Sequence, residues 1–123
     1  MGQGPAVVTG PPLAIEVVVN GGTVTLVISG ELDLATTPIL TQCLAQLVAD
    51  SPQRLVFDMA KVDFIDCAAI QLITSTGRFL PENRRPVIRR PSRVVRRMLA
   101  LTGLTAQCEV DDGDEPPASG SRT

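Results

Sequence analysis

Between Arg54 and Leu80 the sequence RLVFDMAKVDFIDCAAIQLITSTGRFL changes its hydrophobic period from that of a strand to that of a helix, and this limits what the whole chain can build. Leu55, Val56 and Phe57 form a short β-branched and aromatic run, which predicts a buried strand over 54–59. Asp58 to Asp63 reads as a polar, acidic connection, and Phe64-Ile65 as a second apolar contact with the core. From Cys67 onward the spacing is helical, over 67–79. Gln71, Thr74, Ser75 and Arg78 share a polar face, and Ile70, Ile73, Gly77 and Leu80 share the opposite one. The Asp66-Cys67 junction is then a helix start, where unpaired amide N–H groups and a partial positive charge gather. Asp66 can cap those groups, and a side chain just after it feels the same field. Any site chemistry is expected around Asp66 and Cys67.

The flanking segments extend the same alternation. Ile15 to Val19 and Thr23 to Ser29 alternate apolar and polar residues around Asn20-Gly21-Gly22, a hairpin signal. A helix follows, capped by Thr36 or Thr37, with Pro38 in its first turn and Leu40, Cys43, Leu44 and Leu47 on one face. Val87-Ile88 predicts a short strand. Ser92 caps a last helix whose inner side is Val94, Val95, Met98 and Leu99, and Gly103-Leu104 closes it in the Schellman manner. Residues 106–110 read as a final strand. The order β-β-α-β-α-β-α-β predicts an α/β domain over 14–110: a mostly parallel mixed sheet with an antiparallel first hairpin and three helices mainly on one face. Residues 1–13, rich in Gly and Pro, read as a disordered lead-in, and 111–123 as a disordered acidic tail.

Composition narrows the function classes. The 123 residues suffice for one core, which must be aliphatic because the chain has no Trp or Tyr and three Phe. Histidine is absent, which removes the commonest general base and any serine–histidine pair. Three cysteines without close pairing make neither a disulfide framework nor a zinc site. The expectation is a non-enzyme with no cofactor and no metal. No apolar run reaches the length of a membrane span, and the N-terminus lacks the pattern of a secretory signal, so a cytoplasmic protein is expected. Met1-Gly2 resembles a myristoylation start, but Ala6 stands where Ser or Thr is needed. Arg84, Arg85, Arg89, Arg90, Arg93, Arg96 and Arg97 crowd together, and Asp111, Asp112, Asp114 and Glu115 follow them. With no aromatic stacking platform, the arginines read as a solvated face and strand edge partly neutralised by the acidic tail, without stable nucleic-acid binding.

The stretch V-D-F-I-D-C-A-A-I at 62–70 resembles the signature F-[IM]-D-S-[ST]-G-[LI] of STAS domains, the anti-sigma-factor antagonist family. A second family hallmark, G-E-L-D, stands at Gly30 to Asp33, and a third, a serine-initiated helix ending in Gly-Leu, runs from Ser92 to Gly103-Leu104. The three keep the family's order across residues 15–110. The resemblance implies the STAS fold and the same sheet arrangement. It implies a partner, an anti-sigma factor that is also a serine kinase of the GHKL type, whose capture frees a sigma factor. In the family that kinase phosphorylates the serine after the motif's aspartate, and a dianion placed at a packed interface breaks the complex. Carried onto this chain, the acceptor position is Cys67, and Ala68-Ala69 replaces the family's Ser/Thr-Gly. The implied partner surface comprises Glu31, Asp33, Asp66, Cys67, Ala68, Gln71, Ser75 and Arg78. Thr74, Ser75 and Thr76 are alternative hydroxyls for phosphorylation.

Three readings of Cys67 remain open. It is a small packing residue that keeps the domain constitutively in its binding form. Or the field of the helix start makes it an oxidisable switch, a tendency the adjacent Asp66 carboxylate opposes. Or it pairs with Cys43 or Cys108 in a disulfide, which needs Cα atoms within about 7 Å. The functional alternative to an antagonist is a STAS accessory subunit of another machine, such as a lipid-transport ABC system or a stress-sensor assembly. A stable complex with a GHKL-type kinase favours the first, and co-purification with a transporter the second.

Overall fold

The computed structural model describes residues 6–10 and 12–113. Among these, six strands run in the order β1 (Ala6–Gly10), β2 (Leu13–Asn20), β3 (Thr23–Leu32), β4 (Arg54–Ile65), β5 (Val87–Arg89) and β6 (Glu109–Asp111), neighbours in sequence being neighbours in the sheet. β1, β2 and β3 are antiparallel, whereas β3, β4, β5 and β6 are parallel. Each parallel step is bridged by a helix: α1 (Thr37–Val48), α2 (Cys67–Thr74) and α3 (Arg93–Thr102). A sheet that grows in one direction through right-handed crossovers places all three helices on the same face.

The core follows from that layering. Leu13, Ile15 and Val17 of β2, Val24, Leu26 and Ile28 of β3, and Leu55, Phe57 and Met59 of β4 join one buried cluster with Leu40, Cys43 and Leu44 of α1, Ile70 and Ile73 of α2, and Val95 and Leu99 of α3. The expected apolar faces of the helices are the ones that pack, and Leu47 lies partly buried beside them. Ser92 accepts the Val95 N–H, and Gly103, at φ 72°, closes α3 by donating to the Leu99 carbonyl at 3.1 Å.

Several boundaries depart from the sequence expectation: β2 begins at Leu13, a core residue expected in the lead-in, and β3 runs on to Leu32 rather than stopping at Ser29. Residues 6–10 are not part of an unstructured lead-in: the β-branched Val7-Val8-Thr9 pairs with β2 in unbroken register from Ala6 opposite Val17 to Gly10 opposite Leu13. The connection expected over 58–63 is strand. β4 continues to Ile65 by holding one extra residue against β3 at each of two register shifts, between Val27 and Ser29 and between Gly30 and Glu31. The second helix ends at Thr74 and tightens to a 3-10 turn over Ser75–Phe79, where the hydroxyls of Thr74, Ser75 and Thr76 donate back to the carbonyls of Ile70, Leu72 and Ile73. The last strand is Glu109–Asp111, not 106–110, because Leu104–Gln107 forms a 3-10 turn, so the sheet reaches into what was expected to be tail. Residues 1–5, 11 and 114–123, with Asp114 and Glu115, lie outside the described residues.

Candidate functional site

Parallel pairing of β3 with β4 brings the two acidic motifs together at the carboxyl ends of the central strands, the edge of a parallel sheet where sites tend to form. Glu31 pairs with Phe64 and Leu32 with Ile65, and the Asp66 N–H donates to the Leu32 carbonyl at 3.1 Å. The reach of β3 to Leu32 depends on Gly30. Its φ is +103°, and a Cβ there would lie 1.9 Å from the Pro12 carbonyl oxygen, which itself accepts the Glu31 N–H at 3.2 Å.

Asp66 caps α2, and Asp33 closes the turn before α1. Asp66 Oδ1 accepts the Ala69 N–H at 2.9 Å. Asp33 Oδ1 accepts the N–H groups of Ala35 at 3.0 Å and Thr36 at 3.1 Å. The N-cap of α1 is Thr36, one of the two residues expected there, but its hydroxyl makes no capping bond to the helix, and Asp33 instead closes the turn that leads into it. The Thr36 hydroxyl accepts the Asp33 N–H at 3.0 Å and donates to the Glu31 carbonyl at 2.7 Å. Thr36 is 3% exposed, so its hydroxyl locks the Glu31–Asp33 loop from inside.

The structure places Cys67 and Ala68 exposed on the first turn of α2, and Gln71, Ser75 and Arg78 exposed along the same segment. Glu31, Asp33 and Asp66 are half-buried. Thr74, expected on the polar face, is buried with its hydroxyl donated to the Ile70 carbonyl, and Thr76 is 1% exposed, leaving Ser75 as the accessible hydroxyl of the three. All three cysteines are free, Cys43 and Cys108 buried and Cys67 exposed, so no disulfide ties Cys67 to the core. Burial pushes the Cys43 thiol up, and pushes Cys108 up against the opposing pull of the Arg85 guanidinium.

Two residues missed by sequence reasoning flank the junction. Phe64, expected to touch the core, is 49% exposed, and Leu34, just after Asp33, is 83% exposed. A free-standing Leu after Asp33, and a Phe that breaks the alternation of its strand, were the available signals. Further along, Leu44, Ala45 and Val48 of α1 face Leu72, Ser75 and Phe79 across a groove of about 310 Å³, with Arg78 stacked 4.9 Å above the Phe79 ring. The resulting surface is mixed: carboxylates and a thiol at a helix start, bordered by exposed apolar side chains. Such a mixture suits protein recognition. Among the described residues no group of three or more His, Cys, Asp or Glu side chains is arranged to hold a metal, and no helix is long and apolar enough to cross a membrane.

Of the crowded arginines, Arg89 pairs with Asp111 at 3.6 Å, Arg96 with Asp112, and Arg90 with the buried Asp58.

Comparison with known proteins agrees with this geometry. The family model of the STAS domain matches residues 14–112. The chain is 28% identical over 92 residues to the anti-sigma-F factor antagonist RsfB of Mycobacterium tuberculosis, with 75% of each chain covered. The crystal structure of an anti-sigma factor antagonist from Mycobacterium paratuberculosis superposes with a TM-score of 0.74 at 28% identity, covering 86% of this chain and 92% of that one. The anti-sigma factor antagonist SpoIIAA in its unphosphorylated form shares the fold, with a TM-score of 0.65 at 18% identity over 78% of this chain and 86% of that one.

Proposed function

The chain belongs to the STAS domain family, and on that premise we propose that it is an anti-sigma-factor antagonist, which binds a serine-kinase anti-sigma factor of the GHKL type and so releases a sigma factor. The observation that carries this reading is the backbone-bonded junction of the Glu31–Asp33 loop with Asp66-Cys67, bordered by exposed Leu34 and Phe64. Fixed carboxylates supply orientation, the apolar side chains supply buried area, and the rigid backbone lowers the ordering cost of association. The relatives, themselves antagonists of anti-sigma factors, point the same way.

The switch differs from the family pattern. Cys67 offers no hydroxyl to a serine kinase, so the surface stays in its binding form whenever the thiol is reduced. The exposure of Cys67 leaves it open to oxidants, and oxidation would add polar or charged oxygens at the interface.

The test is calorimetric titration of the purified chain against each anti-sigma factor of its source organism, with reductant and after mild peroxide. A 1:1 complex that displaces the sigma factor is expected with reductant. Equal affinity after peroxide assigns Cys67 a packing role, and loss that Cys67→Ser prevents assigns it a thiol switch. Failure to bind any anti-sigma factor, with transporter subunits recovered instead, would overturn the reading in favour of an accessory subunit.

A further inference from the structure

A second charged feature lies at the opposite, amino-terminal edge of the parallel strands. Arg54 opens β4, Arg84 and Arg85 precede β5, and Glu109 opens β6; together with Asn83 they line a cleft of about 480 Å³. That volume falls within the range of small-ligand sites, roughly 300–1,000 Å³. Three guanidinium groups face one carboxylate. Among the described residues Arg54, Arg84 and Arg85 make no ion pair, whereas Arg89, Arg90 and Arg96 each hold an aspartate. Like charges gathered without partners repel one another, and an anion between them removes that repulsion.

The loop that presents two of these arginines is held in place rather than loose. The Arg84 N–H donates to the Pro81 carbonyl at 3.1 Å, and the Pro86 carbonyl accepts the Glu109 N–H at 2.9 Å. Glu82 and Asn83 both sit at positive φ, 57° and 53°. A non-glycine pair in that region persists where its surroundings hold it, and such strain gathers at ligand clamps. Gly77 lets the loop close in, since a Cβ there would lie 2.6 Å from the Arg84 carbonyl oxygen.

We propose that this cleft is a binding site for a compact phosphate-bearing anion, held by the guanidinium groups of Arg54, Arg84 and Arg85, with the Asn83 amide as a further donor. Guanidinium forks match phosphate oxygens two at a time, which gives such a ligand geometry as well as charge. Among the described residues no aromatic side chain lines the cleft to form a stacking platform, and the ligand is recognised chiefly by its phosphate. Glu109, which also lines the cleft, disfavours anions too large to avoid it.

The test titrates inorganic pyrophosphate into the full chain at physiological salt, read by calorimetry and by the arginine side-chain NMR signals. A parallel arm uses phosphatidylcholine vesicles with and without phosphatidic acid. Saturable 1:1 binding of pyrophosphate is expected. It should weaken about tenfold or more, the worth of one charge-assisted hydrogen bond, in Arg84→Gln and in Arg85→Gln. Arg93→Gln on the exposed side of α3 should leave it unchanged. Thermal unfolding without ligand checks that each variant folds like the parent. Binding to phosphatidic acid vesicles alone, lost in Arg84→Gln, would name a lipid headgroup as the source of the same phosphate. The proposal is overturned by no saturable binding in either arm, by equal weakening in Arg93→Gln, or by pyrophosphate affinity that Arg84→Gln and Arg85→Gln leave intact. It is also overturned if the arginines instead retain duplex DNA in an electrophoretic shift.

Discussion

The Asp66 N–H donates to the Leu32 carbonyl at 3.1 Å, one step beyond the last pair of the β3–β4 ladder, Leu32 opposite Ile65. The cap of α2 is thereby fixed to the segment that leads into α1 through backbone atoms alone. Side-chain changes at residue 67 therefore alter the chemistry of the surface without releasing the two loops from each other. Changes that break the side-chain lock behind the loops have the opposite effect.

Thr36 is that lock. Replacing it with Val keeps the volume but removes both the acceptor of the Asp33 N–H and the donor to the Glu31 carbonyl, at a position 3% exposed. Leaving two polar groups without partners is expected to cost about 2 kcal/mol in urea unfolding. Affinity for the anti-sigma factor is expected to fall with it, because the Glu31–Asp33 loop is no longer pre-organised. A Thr36→Val variant with parental stability would show that the network is not what holds the loop.

Leu34 and Phe64 separate stability from recognition. Leu34 is 83% exposed, so Leu34→Ser should change unfolding free energy by no more than about 0.5 kcal/mol. Phe64→Ala, from a half-exposed position, should cost about 1 kcal/mol. Both should weaken the anti-sigma complex about tenfold or more if these side chains anchor the interface. Unchanged affinity in both variants, measured by calorimetry, would move the interface away from this edge.

Alkaline pH tests the core. Burial holds the Cys43 and Cys108 thiols above the ordinary value of 9.0, at Cys108 against the pull of Arg85. The unfolded chain gives up these protons first, so the associated stability is complete below that value and is lost as pH rises past it and through the folded values. The chain has no Tyr, and Lys61 is its single lysine, so few other groups titrate in that window. Denaturant unfolding under reductant should show stability falling above about pH 9. Cys43→Ala and Cys108→Ala should each flatten that fall. An unaltered slope in the double variant would place the alkaline sensitivity elsewhere.

Much of this architecture was legible in the sequence, where local pattern and final packing coincide. Leu40, Cys43 and Leu44 repeat at helical spacing and meet the core, and Ser92 and Gly103 terminate α3 by local chemistry. What escaped depends on neighbours distant in sequence. The second half of β4 looked like a polar turn because its two extra residues disturb the alternation, and only pairing with β3 shows them to be bulges. Val7 to Thr9 became a strand because β2 offered an edge. Thr74 sits at the border of the polar face of its helix, and tertiary packing buries it. The proximity of Glu31–Asp33 to Asp66 came from family resemblance, and the hydrogen bond that enforces it required coordinates. The Asp33–Thr36 network combined short-range elements, but its essential bond, to the Glu31 carbonyl, needed the loop's shape.

Cys67→Asp isolates the charge effect at the position proposed above as the switch. Cys67 is the exposed first residue of α2, so a carboxylate there gains about 0.3–1 kcal/mol from the helix dipole and loses a similar amount against Asp66. Stability is therefore expected to stay within about 0.5 kcal/mol of the parent. Binding is expected to respond differently, because a charge trapped without a partner in a dry interface costs about 2 kcal/mol or more, some thirtyfold in affinity. Cys67→Ser, nearly the same size, should bind like the parent and, if the partner is the proposed serine kinase, gain a hydroxyl that it phosphorylates with ATP, read by mass spectrometry of the intact chain. If Cys67→Asp binds as tightly as the parent while Cys67→Ser takes no phosphate, the start of α2 lies outside the interface, and the partner must be sought on another face.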